Sequence, residues 1–488
     1  MTADTAPDRA QVIDQVVKAY DIRGLVGTQL DATFVRDVGA AYARVLLDEQ
    51  AAGTGSGLGG GKGLVVGHDM RESSPELADA FTEGVTALGV DVVAIGLAST
   101  DMLYYASGAL EMPGAMFTAS HNPATYNGIK LCRAGAAPVG QDSGLDEIAA
   151  LLDRGPGAAT PDAAAAERGA VSHRDLRDDY AAFLRSLVDL SGIRSLSIVV
   201  DAGNGMAGYT VPAVLQGGSG PGHLPIEVYP LYFELDGSFP NHEANPLDPD
   251  NLRDLQREVI TLGRVDAGLA FDGDADRVFL VDEKGDAVSP SAITALVATR
   301  ELAKHPGSTV IHNLITSRAV PEIVTEAGGT PVRSRVGHSF IKGTMAETGA
   351  VFGGEHSAHY YFRDFWRADS GMLAALHVLA ALGEQDRPLS ELMARYERYA
   401  ASGEINSTVA DPTAVMAEVE QTFGDRDGVT TDDLDGLTVT LPATGDRAGS
   451  WFNLRPSNTE PLLRLNVEAA DDDAVAALRD EVLALVRG

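Results

Sequence analysis

Three stretches of this chain read alike, and no other feature narrows its fold as far. They are residues 63–96 (GLVVGHDMRESSPELADAFTEGVTALGVDVVAIG), 196–229 (LSIVVDAGNGMAGYTVPAVLQGGSGPGHLPIEVY) and 308–336 (STVIHNLITSRAVPEIVTEAGGTPVRSRV). Each opens with a short β-branched apolar run, passes through a polar loop, sets a proline near a helix start, and returns through a glycine turn to another strand. Proline costs little in a first helical turn, where its missing N–H has no bond to lose, so each stretch reads as strand, helix, strand. Three units spaced by roughly a hundred residues predict three related α/β domains, each a mixed sheet flanked by helices.

Composition suggests where these domains end. The run RGPGAATPDAAAAERGA (154–170) reads as a linker ahead of the helical HRDLRDDYAAFLRSLVDL. A turn at Glu283-Lys284-Gly285-Asp286 and a break near Ala401-Ser402-Gly403 follow. The expected domains are 1–170, 171–285, 286–401 and 402–488. The last lacks the repeat and ends in the amphipathic DDDAVAALRDEVLALVR, which predicts a smaller C-terminal α+β domain. AAGTGSGLGGGKG (51–63) and GGSGPGH (217–223) read as flexible insertions. The first contains G-S-G-L-G-G-G-K, but no strand leads into it and no helix follows its lysine, which argues against a P-loop.

At 488 residues the chain is too long for one hydrophobic core. Lys and Arg total 37 against 70 Asp and Glu, a formal charge of −33. Such a surface repels polyanions, so nucleic acid is not an expected partner. An anionic substrate would need Arg, Lys, His and backbone N–H groups concentrated at its site. No run of about 18 apolar residues is present, so no membrane span is expected. The N-terminal MTADTAPDRAQVIDQVV lacks the basic start and apolar block of a secretory signal. Cys132, the single cysteine, can form no intrachain disulfide, and its strand-like apolar run predicts a buried thiol. Together these features suit a reducing cytoplasm.

The motif FDGDADRVFLVDEKG sets Asp272, Asp274 and Asp276 at alternate positions in a loop between two apolar runs. Three anions so close repel one another unless a cation neutralises them, and hard oxygen ligands suit Mg2+ or Ca2+. An EF-hand fails here. Glu283 does fall at the twelfth position, but Arg277 stands where that loop needs glycine, and the flanks read as strands. Three carboxylates with open coordination positions suit Mg2+ that also touches a phosphate.

Other stretches carry polar groups at close spacing. GAMFTASHNPATYNGIKL (114–131) puts Ser120 beside His121, with Lys130 beyond a turn. Ser120 reads either as a nucleophile or as a loop hydroxyl solvating its own backbone. No G-x-S-x-G surrounds it, so a serine-hydrolase elbow is unsupported. In NLRPSNTEPLLRL, Arg455, Ser457, Asn458 and Thr459 offer a guanidinium fork, two hydroxyls and an amide, a set suited to phosphate. In FGGEHSAHYYF, Glu355, Ser357 and His359 share one side of an extended segment. That pattern can grip sugar hydroxyls and move a proton, and a plain surface loop explains it equally. VGHSFIK adds Gly337, His338 and Lys342 in a short loop able to meet an anion or a hydroxyl.

T-A-S-H-N-P, D-G-D-A-D-R, G-E-H-S-A-H and R-P-S-N-T-E-P occur here in the order of the four active-site loops of the α-D-phosphohexomutase superfamily. The chain resembles that superfamily from AYDIRG (19–24) to its C-terminus, and by motif it is most similar to bacterial phosphomannomutases and phosphomannomutase/phosphoglucomutases. The resemblance implies four domains around a central cleft, three α/β and one smaller α+β. It implies a phosphorylated Ser120, and Mg2+ held by Asp272, Asp274, Asp276 and the serine phosphate. It further implies interconversion of mannose 6-phosphate and mannose 1-phosphate, and possible action on glucose phosphates, through a hexose 1,6-bisphosphate intermediate and activator.

By the same resemblance, Arg277 stabilises the transferring group, and Arg455, Ser457, Asn458 and Thr459 hold the non-reacting phosphate. Glu355 and Ser357 hold sugar hydroxyls, Tyr20 and Arg23 line the same cleft, and the base is one of Lys130, His121 and His359; Gly337 and His338, from the reading of their own loop, are further candidates for the substrate site. The chain departs from the family pattern at His356 and Ala358, and at Ile315, where a lysine is common. Lys342 or Arg318 are candidates to replace that lysine. A phosphoglucomutase or phosphoglucosamine mutase of the same mechanism, or a non-catalytic phosphosugar-binding protein, are the alternatives, and the expected assembly is a monomer or homodimer.

Overall fold

The structure, a computed structural model, describes residues 9–54, 57–60, 63–159, 167–216, 224–443, 449–456 and 462–488. It comprises two compact units, Met1–Val288 with Ala358–Ser390, and Ser289–Ser357 with Glu391–Gly488.

The first unit begins with a mixed sheet. Gly63–His68, the buried apolar run of the first repeat, lies parallel to Asp91–Leu97 on one side and Gly114–Phe117 on the other. Gly114–Phe117 turns back into antiparallel Tyr126–Arg133, which pairs with Ile22–Leu25. Val171–His173 adds to the far edge beside Asp91–Leu97, so the sheet's hydrogen bonding runs past residue 170. Helix Ala32–Ala52 starts where the Asp31 carboxylate accepts from Phe34 N at 2.7 Å and stops at Gly53, whose φ of 65° suits a residue without Cβ. Of the stretch 51–63, residues 51–54, 57–60 and 63 are described. Its first residues finish this helix, Leu58 is buried in the core, and Gly63 starts a strand. Cys132 is a buried free thiol.

A second mixed sheet in the same unit runs Ala287–Val288, Val278–Val281, Ala267–Phe271, Leu196–Asp201, Ile226–Leu231. Its last three strands are parallel, and Val278–Val281 returns antiparallel from Ala267–Phe271. Sequence places Pro212 near a helix start, yet it stands inside Ala207–Leu215. Met206 N donates to Gly273 O at 2.9 Å, and this tie starts the helix upstream of the proline. The unit also holds the antiparallel pair Tyr360–Phe362 and Ala368–Asp369, followed by buried helix Gly371–Gly383.

In the second unit, Thr309–Asn313 lies parallel to both Thr330–Ser334 and Phe352–Gly354. Helices Pro290–Lys304, Ala319–Glu326 and His338–Thr348 accompany these strands. The C-terminal portion is an antiparallel sheet in the order Ala400–Thr408, Leu462–Ala469, Ser450–Pro456, Leu437–Leu441, Thr430–Asp432. Helix Asp472–Arg487 buries Val475, Leu478, Val482 and Val486, one stripe at helical spacing, against this sheet's core. The stretch 217–223 lies outside the described residues.

Candidate active site and relatives

In the first unit two hairpin loops meet. One joins Gly114–Phe117 to Tyr126–Arg133 and carries Ser120; the other joins Ala267–Phe271 to Val278–Val281 and carries the three aspartates. Both loops leave a strand that is parallel to the centre of its sheet and return antiparallel, which sets a polar loop between two buried apolar runs. The approach is close. A Cβ on Gly273 would stand 2.4 Å from Ser120 O, so only glycine fits there.

Ser120 is buried and left-handed, with φ of 52°. Its Oγ donates to Asp272 Oδ2 at 2.9 Å and lies 3.2 Å from His121 Nδ1. Arg277 donates through Nε to Asp272 Oδ2 at 2.8 Å and through NH2 to His121 Nδ1 at 2.8 Å. Burial, reinforced by Arg277 and Arg23, holds His121 well below the usual histidine range, so its ring is neutral. Lys130 Nζ bridges Asp274 Oδ2 at 2.7 Å and Asp276 Oδ2 at 2.6 Å. Burial works against the Lys130 charge, yet Asp274 and Asp276 raise it well above the usual lysine range. Burial likewise opposes the Asp274 carboxylate, and Lys130 nevertheless holds it well below the usual range.

Positive charge still falls short of what the carboxylates can use. Burial, with Asp276 and Asp274 adding to it, pushes Asp272 up to about 7 against the pull of Arg277. Asp274 Oδ1 and Asp276 Oδ1 are buried without a hydrogen-bond partner among the described residues. One ligand atom from each of Asp272, Asp274 and Asp276 lies within 4.8 Å of the others. Unpartnered buried carboxylate oxygens at this spacing fit a metal ion, and the cluster is able to hold one.

Around this centre, Thr100 presents its Oγ1 to Asp274 Oδ2, and its N–H donates to Asp274 O at 3.0 Å. His359 Nε2 stands 3.9 Å from Asp276 Oδ1, and Asp369 completes a trio with these two within 4.8 Å. Arg23 NH1 donates to Asn122 Oδ1 at 2.6 Å and Nε donates to Asp21 at 3.0 Å, which ties AYDIRG to the serine loop. Tyr20 is half-buried in the bend before strand Ile22–Leu25. Thr100 and Asp369 carry no motif in the sequence. The Ser-Thr-Asp helix cap around Thr100 is the only local signal for it.

In the second unit, Glu355 is buried and its Oε2 accepts from Asn313 Nδ2 at 3.2 Å and Gly337 N at 3.3 Å. Two stretches singled out in the sequence are thereby joined. Gly337, with φ of 130°, precedes helix His338–Thr348; the His338 side chain is outside the described residues. Ser357 is half-buried. His356 turns instead to Ser291 Oγ at 3.1 Å and lines a cavity of about 270 Å3 with Ile315, Ser317, Trp451 and Asn466. Arg318 stacks on Tyr399 at 4.0 Å and lies 3.9 Å from Glu468, and Lys342 is buried in its helix. Arg455 is flanked by Glu404 at 3.6 Å and Asp435 at 3.8 Å, and burial lowers it from the usual arginine range. Ser457, Asn458 and Thr459 lie outside the described residues.

Residues 14–156, 178–285 and 289–399 match the phosphoglucomutase/phosphomannomutase α/β/α domains I, II and III, and residues 404–485 match the C-terminal domain of that family. The chain is 39% identical over 469 residues to a phosphomannomutase of Escherichia coli K12, covering 96% of this chain and 97% of that one. It is 40% identical over 476 residues to a protein of Xanthomonas campestris pv. campestris described as phosphohexose mutases, covering 96% and 99%. A crystal structure of a phosphoglucomutase/phosphomannomutase family protein from Burkholderia thailandensis superposes with a TM-score of 0.83 at 29% identity, covering 98% and 97%. The chain belongs to the phosphoglucomutase/phosphomannomutase family and is an enzyme of the phosphohexomutase class. Three α/β/α domains and a C-terminal domain account for nearly its whole length. No described helix is long and apolar enough to cross a membrane.

Proposed function

We propose that the enzyme interconverts mannose 6-phosphate and mannose 1-phosphate, with glucose phosphates as further substrates, and that Ser120 carries the phosphoryl group. The observation that carries this reading is the Ser120 hydroxyl, 2.9 Å from Asp272 and beside two buried carboxylate oxygens without partners. A phosphorylated serine there donates its group to the free hydroxyl of a hexose monophosphate. The resulting hexose 1,6-bisphosphate returns its other phosphate to Ser120. Phosphoryl transfer asks mainly for positioning and charge neutralisation. Arg277 and Lys130 face the aspartates and supply part of the second need. Asp272, Asp274, Asp276 and phosphorylated Ser120 would hold Mg2+, which when bound neutralises charge on the transferring group.

Lys130, which lies between Asp274 and Asp276, His121, which is held neutral, and His359 are the candidates to take the proton of the attacking hydroxyl. Glu355, Ser357, Gly337 and His338 are assigned to the sugar, with Tyr20 and Arg23 beside it. Arg455, Ser457, Asn458 and Thr459 are assigned to the other phosphate. Domains 1–170, 171–285, 286–401 and 402–488, a cytoplasmic site and a monomer or homodimer complete the reading.

Wild-type protein treated with glucose 1,6-bisphosphate gains one phosphoryl group by intact mass. Ser120→Ala gains none, and its turnover falls by about 10⁴-fold or more with the fold intact. A mutant within tenfold of wild type would sink the carrier assignment. Comparing kcat/KM for mannose, glucose and glucosamine 1-phosphates separates the sugars, and the highest value is expected for mannose.

A further inference from the structure

Behind Ser120 lies a guanidinium that no sequence motif singles out. Arg71 is 1% exposed, and every one of its side-chain N–H groups has a protein acceptor. NH2 donates to Ser120 O at 2.9 Å and Asn122 O at 2.7 Å. NH1 donates to Pro123 O at 2.9 Å and Tyr126 O at 3.0 Å, and Nε donates to Asp69 Oδ2 at 3.2 Å. Four carbonyl oxygens of one loop therefore converge on one side chain.

The clamp is itself held from behind. Asp69 Oδ1 accepts from Arg71 N at 3.0 Å and from Ser74 Oγ at 2.6 Å, and Asn127 Nδ2 donates to Ser74 Oγ at 2.9 Å. The Phe239 ring lies 5.1 Å from the guanidinium carbon and covers its face.

Ser120 needs such support. A left-handed backbone is unfavourable for a serine, so its φ of 52° persists only if its surroundings enforce it. The Ser120 N–H is tied to Thr118 Oγ1 at 2.9 Å, and its carbonyl is tied to Arg71. With both ends of the residue fixed, Oγ is left facing Asp272. We propose that Arg71 is the positioning residue of the phosphoryl-carrier loop: it draws the loop's carbonyls inward and sets the direction of the serine hydroxyl. All its donors are consumed by protein, so it acts through Ser120 and leaves substrate to other groups. The proposal rests on the reading of Ser120 as carrier.

Arg71→Lys keeps a charge but loses the planar five-donor fork. It is expected to lower kcat by about 100-fold while KM stays within about threefold, because the carrier is misplaced and sugar binding is not. The rate at which glucose 1,6-bisphosphate phosphorylates Ser120, followed by intact mass, should fall in the same proportion. Asp69→Asn loosens the clamp without removing it and is expected to slow the same step by about tenfold. Phosphorylation of Arg71→Lys at the wild-type rate, or loss of activity carried by KM alone, overturns the proposal. Should Arg71→Lys fail to fold, Asp69→Asn decides by the same measurement: a slowed step supports the clamp and an unchanged step refutes it. A wild-type protein that takes up no phosphoryl group is a different failure, that of the carrier reading.

Discussion

Asp101 and the aspartates of the 272–276 loop are all buried, yet they are satisfied differently. Asp101 is surrounded by hydroxyls: Ser99, Tyr180 at 2.7 Å and Ser370 at 2.6 Å all donate to it. Burial nevertheless dominates and pushes it up to about 6, with those hydroxyls pulling the other way. Its folded value lies above that of an unfolded aspartate, so its contribution to stability is full below about pH 4 and is lost as pH rises through about 6. Asp101→Asn carries no such dependence. Its stability relative to wild type should rise by roughly 2 kcal/mol between about pH 4.5 and 8, read from thermal unfolding across that range. A flat difference would show that the carboxyl titrates as an ordinary one. Single residues of this kind are hard to read from sequence. Ser120, Asp272, Asp274 and Asp276 stand in dense polar motifs, whereas Asp101 and Arg71 gain their partners from segments tens to hundreds of positions away.

The hairpin is the element that builds the site. In both sheets of the first unit, a functional loop leaves a parallel strand and returns antiparallel. The 355–359 stretch likewise follows Phe352–Gly354, which is parallel to Thr309–Asn313. The serine, aspartate and 355–359 motifs therefore occupy equivalent stations in three repeats. Apolar runs and prolines made the repeats legible, and polar clusters made the motifs legible. Their common station was not legible, because it depends on strand pairing across tens of residues. Gly273 marks where two hairpins touch. Gly273→Ala should force its loop away from Ser120 O, lower turnover by about 100-fold, and cost about 1–3 kcal/mol of stability. Steady-state kinetics with thermal unfolding checks both parts, and a variant with wild-type turnover would mean that the loops can part without consequence.

Across the whole molecule, each compact unit carries one of the two tryptophans, Trp366 in the first and Trp451 in the second. Trp366→Phe keeps an aromatic ring beside Phe183 and leaves Trp451 to report the second unit alone. That unit contains His312, which burial lowers to about 4 while its Nδ1 lies 3.1 Å from Asn313 O. A histidine held neutral in the fold stabilises it fully above its unfolded value near 6.5, and the stabilisation is lost as pH falls through about 4. This sign is opposite to that of Asp101: rising pH between about 4 and 6 removes the Asp101 contribution, whereas falling pH between about 6.5 and 4 removes that of His312. In the Trp366→Phe background, the unfolding free energy that Trp451 reports in urea should fall between about pH 7 and 4.5, by roughly 2–3 kcal/mol from this one group. His312→Gln should remove that part of the decline. An undiminished decline in the double variant would assign the acid sensitivity to the carboxylates of this strongly acidic chain instead.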